Sequence, residues 1–269
     1  MHAIYGPVPS WRLGRSLGVD LLPGRGKTCT LDCVYCQLGW TTCFAVERQV
    51  FVETERLQAD LESLPLTPED VDYVTFSGTG EPSLAANLGE AIELVRSCPA
   101  LEGVPVAVLT NATLLSQPEV RRDLAHADLV AAKLDAPDEA LFQAINRPIV
   151  SLSWPQVVEG IRAFRQEFQG VFALQMMFVG ANRQRAGEMA DLARSLHPDQ
   201  VQLDTPLRLS PTPPLNPAAM AEIEEAFSGL PVVNVYGARI PDVEVLDMAE
   251  MRRRRPVEGH PDIVGKGVH

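Results

Sequence analysis

Tyr73-Val74-Thr75-Phe76-Ser77-Gly78-Thr79-Gly80-Glu81-Pro82 is a short apolar, partly β-branched run that breaks into a glycine-rich turn. Leu88 to Ser97 then carries apolar residues at helical spacing, and Pro105 to Leu109 returns to a short apolar run. A strand, a turn, a helix and a second strand make one β/α/β crossover unit. Both runs are nearly continuous in apolar character instead of alternating, which predicts parallel strands covered on both faces.

The same alternation extends in both directions. Candidate strands are Leu17 to Leu22, Tyr73 to Phe76, Pro105 to Leu109, Leu129 to Leu134, Val171 to Phe178 and Val201 to Leu203. Candidate helices are Glu53 to Ser63, Leu88 to Ser97, Glu119 to Ala125, Trp154 to Phe168 and Arg185 to Leu196, with steps such as Ile161, Phe164, Phe168. Pro118 and Pro155 stand near helix starts, and Thr67 with Asp70 and Ser153 with Gln156 resemble N-terminal caps. Six β/α units fit an open doubly wound sheet or a partial (β/α)6 TIM-type barrel, and the second is the reading adopted. In either, the C-terminal strand ends gather the chemistry on one rim. After about Leu207 the pattern changes to a Pro-rich loop, a helix (Met220 to Phe227) and a short strand (Val232 to Tyr236). The expected organisation is a core over 1–210, a short C-terminal extension packed on it over 211–255, and a poorly ordered tail over 256–269.

The chain has 269 residues, 46% of them hydrophobic and 22% charged, in the range of an ordinary soluble protein. The most apolar stretch, Val171 to Ala181, is far shorter than the ~20 residues a bilayer-spanning helix needs. No apolar signal core lies between Met1 and Arg15, so a cytoplasmic protein without membrane contact is expected. A net charge of −12 argues against gripping nucleic acid through a general surface field. Five cysteines, an odd number, argue against structural disulfides.

Three of those cysteines lie together in Cys29-Thr30-Leu31-Asp32-Cys33-Val34-Tyr35-Cys36. The spacing leaves open a [4Fe–4S] cluster on three thiolates, a zinc site, or buried cysteines without metal. Zinc would want a second ligand pair, and the next histidine downstream is His126. Cys43 and Cys98 stand apart and read as bystanders.

Cys29-x-x-x-Cys33-x-x-Cys36, with Tyr35 before the last cysteine, resembles the signature loop of the radical S-adenosylmethionine superfamily. The resemblance implies a [4Fe–4S] cluster on these three residues, its open iron chelated by the amino and carboxylate groups of S-adenosylmethionine. Reductive cleavage of the sulfonium would give a 5′-deoxyadenosyl radical that abstracts hydrogen from a substrate. An electron donor such as a flavodoxin or ferredoxin is implied as a partner. The turn Gly78, Thr79, Gly80 and Glu81 resembles the superfamily's glycine–glutamate motif, which holds the methionine ammonium group; a plain turn into a helix is the simpler alternative.

Other strand ends supply polar side chains to the same rim: Asn111, Lys133, Asp135, Gln175 and Asp204. The first four are expected S-adenosylmethionine contacts, although Asn111 could merely cap a helix and Asp135 begin a turn. Lys133, a cation on an apolar strand, needs a partner. Arg147 suits a carboxylate or phosphate, or a surface salt bridge.

Gly6-Pro7-Val8-Pro9-Ser10, Arg12 to Asp20, Cys36-Gln37-Leu38-Gly39, Thr41-Thr42, Glu47-Arg48 and Asn146-Arg147-Pro148 are similar to a small subgroup placed with the wyosine-type tRNA-base synthases, over residues 4 to about 210. Trp11 and Lys133 depart from its pattern. The substrate is therefore unidentified: a small molecule or partner protein, including activation of a glycyl-radical enzyme, or an RNA base. A non-enzymatic iron–sulfur module is the reading from another class. The arginine run Arg252 to Arg255 could touch RNA, but it reads first as a solvated helix end.

Overall fold

A computed structural model describes residues 2–24, 26–149 and 151–254. The chain opens with an antiparallel hairpin, β1 (Ile4–Ser10) and β2 (Gly14–Val19), followed by the short parallel pair β3 (Lys27–Cys29) and β4 (Thr41–Phe44). Alternating elements follow: α1 (Thr54–Glu62), β5 (Tyr73–Phe76), α2 (Leu88–Arg96), β6 (Val106–Thr110), α3 (Pro118–Leu124) and β7 (Leu129–Lys133). Next come α4 (Glu139–Ile145), α5 (Trp154–Glu167), β8 (Val171–Met177), α6 (Ala186–Leu196) and β9 (Gln200–Asp204). The last described elements are α7 (Pro217–Ala226), β10 (Val232–Asn234) and α8 (Met248–Arg254).

The main sheet has the order β1-β2-β5-β6-β7-β8-β9-β10, and every pair after β1-β2 is parallel. Strands expected from continuous apolar runs prove two-sided. Val74, Phe76, Val108, Val130, Phe172, Leu174 and Leu203 pack in the main core with the helices. Ala107, Leu129, Ala131 and Ala173 form a separate small cluster around Leu13 of the β1–β2 turn. Small side chains on the second face let the sheet bend without leaving a void. Arg12 Nη1 lies 3.8 Å from Asp204 Oδ2 although four strands separate β2 from β9 in the sheet. Only a sheet curled around its inner face permits that approach. The architecture is the expected partial barrel, extended by β1 on one edge and β10 on the other.

Helix positions follow from local chemistry. Ser153 and Gln156 form a capping box at the start of α5, with Pro155 in its first turn, and Thr67 with Asp70 does the same for a single 3₁₀ turn. On α5, Val157, Val158, Ile161 and Phe164 face the core; Phe164 stacks on Phe168 at 4.7 Å and meets Phe172 edge-on at 6.1 Å. Burying a ring such as Phe164 stabilises the fold by about 1.5–3 kcal/mol.

Several parts of the chain differ from expectation. The first parallel strand is Gly14–Val19, earlier than Leu17 to Leu22, because the Asp20 side chain turns the chain by accepting from Leu22 N at 2.9 Å. The strand β1 and the seven-residue helix α4 are additional to the expected elements; β1 contains Pro7 and Pro9, which suit a sheet edge. The run expected at a solvated helix end contributes Arg254 to the interior, at 3% exposure, ion-paired with Asp20 and stacked 4.6 Å from the Tyr5 ring. Arg255 and the tail expected to be poorly ordered, 256–269, lie outside the described residues.

Candidate active site

The cysteine loop lies across the C-terminal rim of the half-barrel and is sewn to it at three places. First, β3 runs beside the Gly78–Glu81 turn: Thr28 N donates to Thr79 O at 3.3 Å, and Glu81 N to Thr28 O at 3.0 Å. A Cβ on Gly80 would stand 2.1 Å from Thr28 O, so glycine is what permits the two segments to touch. Second, Asp32 N and Val34 N donate to carbonyls at the end of α4 and just beyond it, Val34 to Ile145 O at 2.9 Å. Third, Thr212 Oγ1, from the segment after β9, donates to Val34 O at 2.8 Å.

Side chains at the strand ends complete the attachment. Tyr35 donates a short hydrogen bond to Asp135 Oδ2, while Asp135 Oδ1 accepts from Met177 N at 2.8 Å. Asn146 Nδ2 lies 2.8 Å from Asp135 Oδ2, 3.0 Å from Tyr35 Oη and 3.5 Å from Cys33 Sγ. Asp135 is thus committed to internal partners. Asn111 faces both ways: Nδ2 reaches Thr30 Oγ1 at 2.7 Å and Cys29 Sγ at 3.4 Å, while Oδ1 accepts from Thr113 N at 3.1 Å.

Glu81 is buried, and its carboxylate ties the turn to the end of β6. It accepts from Ser83 N (3.0 Å), Ser83 Oγ (2.7 Å), Thr110 Oγ1 (2.6 Å) and Asn111 N (2.6 Å). Burial pushes its pKa up, and those hydrogen bonds oppose the shift without cancelling it. Beneath the turn, Asp20 accepts from Thr79 N at 3.1 Å and pairs with Arg254. Burial raises the Asp20 pKa against the pull of Arg254.

Across the concave face runs a polar row. Lys133 Nζ is 3.6 Å from Asp135 Oδ1, donates to Gln175 Oε1 at 3.3 Å, and sits 5.0 Å from the centre of the Tyr35 ring. Gln175 Nε2 donates to Asp204 Oδ2 at 2.9 Å, and Arg12 follows. The expected rim residues Asn111, Lys133, Asp135, Gln175 and Asp204 are therefore on one surface with the cysteine loop. Arg147 is exposed beside the loop, its carbonyl accepting from Asp32 N at 3.1 Å and its guanidinium lying 5.5 Å from the Trp40 ring. Cys43 is exposed on β4, and Cys98 is buried at a 3₁₀ turn after α2.

Cys29 and Cys33 are buried, and burial pushes the Cys29 thiol up to about 12 and raises Cys33 as well. Such thiols are poor nucleophiles and ionise when a metal binds them. Among the described residues no three Cys, His, Asp or Glu side chains are gathered so that they could hold one metal ion. A zinc site needs its sulfurs around a single ion at ~2.3 Å, whereas a cubane takes each sulfur on a different iron. The charge also fits a polynuclear anionic group. Lys27 Nζ is buried without an oxygen partner among the described residues, beside the thiol of Cys36, with Cys29 and Cys33 also acting on its charge.

A family profile described as the radical SAM superfamily matches residues 25–193. The chain belongs to the radical SAM superfamily. With membership come S-adenosylmethionine and an iron–sulfur cluster as the superfamily's cofactors, and catalysis as its role; the non-enzymatic module is set aside. Among its relatives, a UPF0026 protein of Synechocystis is 42% identical over 212 residues, 78% of this chain and 77% of that protein. A UPF0026 protein of Methanocaldococcus jannaschii is 36% identical over 213 residues, 77% of this chain but 64% of the relative's length. A radical SAM methyltransferase from Sphaerobacter thermophilus shares the fold with a TM-score of 0.59 at 17% identity, over 81% of this chain and 65% of that one. Streptococcus suis SuiB, solved with S-adenosylmethionine bound, gives 0.56 at 12% identity over 78% and 50%. No described helix is long and apolar enough to cross a membrane.

Lys27, Asn146, Asp20 and Arg12 emerge from the structure as parts of the site or its support. Their signal in the sequence was position only: Arg12, Asp20 and Asn146 lie inside motifs quoted for the subgroup and Lys27 two residues before Cys29, with no spacing that betrays a partner.

Proposed function

We propose that this radical SAM chain binds a [4Fe–4S] cluster through Cys29, Cys33 and Cys36 and cleaves S-adenosylmethionine reductively, to abstract hydrogen from a substrate still to be identified. The seam between β3 and the Gly78–Glu81 turn carries this reading. It sets the backbone of the turn beside Cys29, where one cofactor bound to the turn would adjoin another bound to the thiols. When bound, the cluster supplies one electron for cleavage of the sulfonium.

The residues of the chain have the task of holding and orienting. Glu81 and Thr79 are fixed by internal hydrogen bonds, so the turn presents its backbone in one conformation. Preorganised polar groups need no rearrangement when the ligand arrives. Asn111 bridges the turn and Cys29, and Lys133 and Gln175 offer a cation and an amide on the concave face for ribose, carboxylate or substrate. The closed packing around Cys29 and Cys33 keeps water from the reacting centre.

Two substrate classes follow. Acidic net charge favours a small molecule or a partner protein, glycyl-radical activation included. The motifs shared with wyosine-type tRNA-base synthases favour an RNA base instead; the UPF0026 relatives carry names that state no reaction. Anaerobic reconstitution followed by a strong reductant and S-adenosylmethionine tests the core of the reading: 5′-deoxyadenosine should form, and Cys33→Ala should stop it. An unchanged nucleoside yield in that variant removes the proposal. Nucleoside profiling of RNA from a deletion strain separates the substrate classes.

A further inference from the structure

Lys27 is 5% exposed, and its buried Nζ has no oxygen partner among the described residues, only the neighbouring thiol of Cys36. An isolated ammonium in such a place is among the costliest things a protein can bury, so it persists only beside a compensating negative charge. Its position identifies the source. Lys27 and Cys29, at the ends of β3, are both buried while Thr28 between them is half-buried, so the two lie on the same inner side of the strand. The strand has little freedom to turn aside. Thr42 Oγ1, from β4, donates to Lys27 O at 3.1 Å on one side, and the Gly78–Glu81 turn pairs with Thr28 on the other.

We propose that Lys27 is the electrostatic partner of the cluster held by Cys29, Cys33 and Cys36, and that its fixed charge raises the cluster's reduction potential. The inference rests on the proposed cluster assignment. Three thiolates around a cubane leave a net negative group that becomes more negative on reduction. A buried unit cation stabilises the reduced form more than the oxidised one, and low local dielectric makes the difference large. Lys27 therefore acts through the cluster and touches no reacting atom. It is a positioning residue for charge, and it eases electron entry from a weak donor.

The test uses the full chain, reconstituted anaerobically as wild type, Lys27→Met, Lys27→Gln and Lys27→Arg. Iron content and circular dichroism report loading and folding, and a dye-mediated titration followed by electron paramagnetic resonance gives the midpoint potential. The neutral variants should load iron yet reduce about tenfold less favourably, a shift of ~59 mV to more negative potential for one electron, while the arginine variant stays near wild type. A wild-type potential in an iron-loaded neutral variant overturns the proposal. So does failure of both neutral variants to hold iron, because Lys27 would then govern assembly instead of potential. A wild-type chain that takes up no iron overturns the proposed function itself, and this inference with it.

Discussion

At the scale of single residues the site depends on what is absent as much as on what is present. Gly80 has no Cβ because one would collide with the Thr28 carbonyl, a backbone atom that cannot swing away. Gly80→Ala should part β3 from the turn and destabilise the fold by about 1–3 kcal/mol, the range for forced overpacking. Denaturant titration would show it, and S-adenosylmethionine affinity should fall with it; unchanged stability would mean the seam does not matter. Glu81→Gln keeps the shape but turns an amide N–H toward donors from Ser83, Thr110 and Asn111. Losing charge-assisted bonds there should cost about 1.5–3 kcal/mol by the same titration. The sequence displayed both residues, because a glycine–glutamate turn after a strand is a visible pattern. It did not display Lys27 or Asp20 as buried charges, since burial depends on which distant segments close over a side chain.

At the scale of elements, the repeating strands and helices were legible because each carries its own period and caps. The pieces that were not legible take their stability from neighbours. The short pair β3 and β4 has few residues and little apolar pattern; it exists because the turn after β5 and the segment after α4 supply partners. Asn146, at the end of α4, is the clearest example, joining Tyr35, Asp135 and Cys33 from separate parts of the chain. Asn146→Ala should remove the amide donor that Tyr35 Oη and Asp135 Oδ2 share and cost about 1–3 kcal/mol. The amide of Val34, bonded to Ile145 O, should then exchange its hydrogen faster while amides of β6 and β7 do not. Equal protection of Val34 in both proteins would show that Asn146 is not what holds the loop.

At the scale of the whole molecule, the half-barrel is closed beneath its rim by side chains far apart in sequence. Arg12 reaches toward Asp204 across the concave face, and Arg254 returns from α8 to Asp20 under the Gly78–Glu81 turn. An even hydropathy along the strands concealed the difference between their helix-covered outer face and their small or polar inner face. Arg254→Met should strand the Asp20 carboxylate in the interior and destabilise the protein by about 3–5 kcal/mol, measured by chemical denaturation, with Asp20→Asn in the same chain recovering part of the loss. Destabilisation below 1 kcal/mol would show that the latch is idle. Under the proposed function the molecule as a whole serves one arrangement, in which three loop thiols would leave a corner of a cubane vacant beside a fixed turn. The most direct measurement is electron–nuclear double resonance on the reduced, reconstituted protein with S-adenosylmethionine carrying ¹⁷O in its carboxylate. The account predicts a hyperfine coupling that places the carboxylate on a cluster iron; no coupling, with the corner taken by a fourth protein ligand, would contradict it.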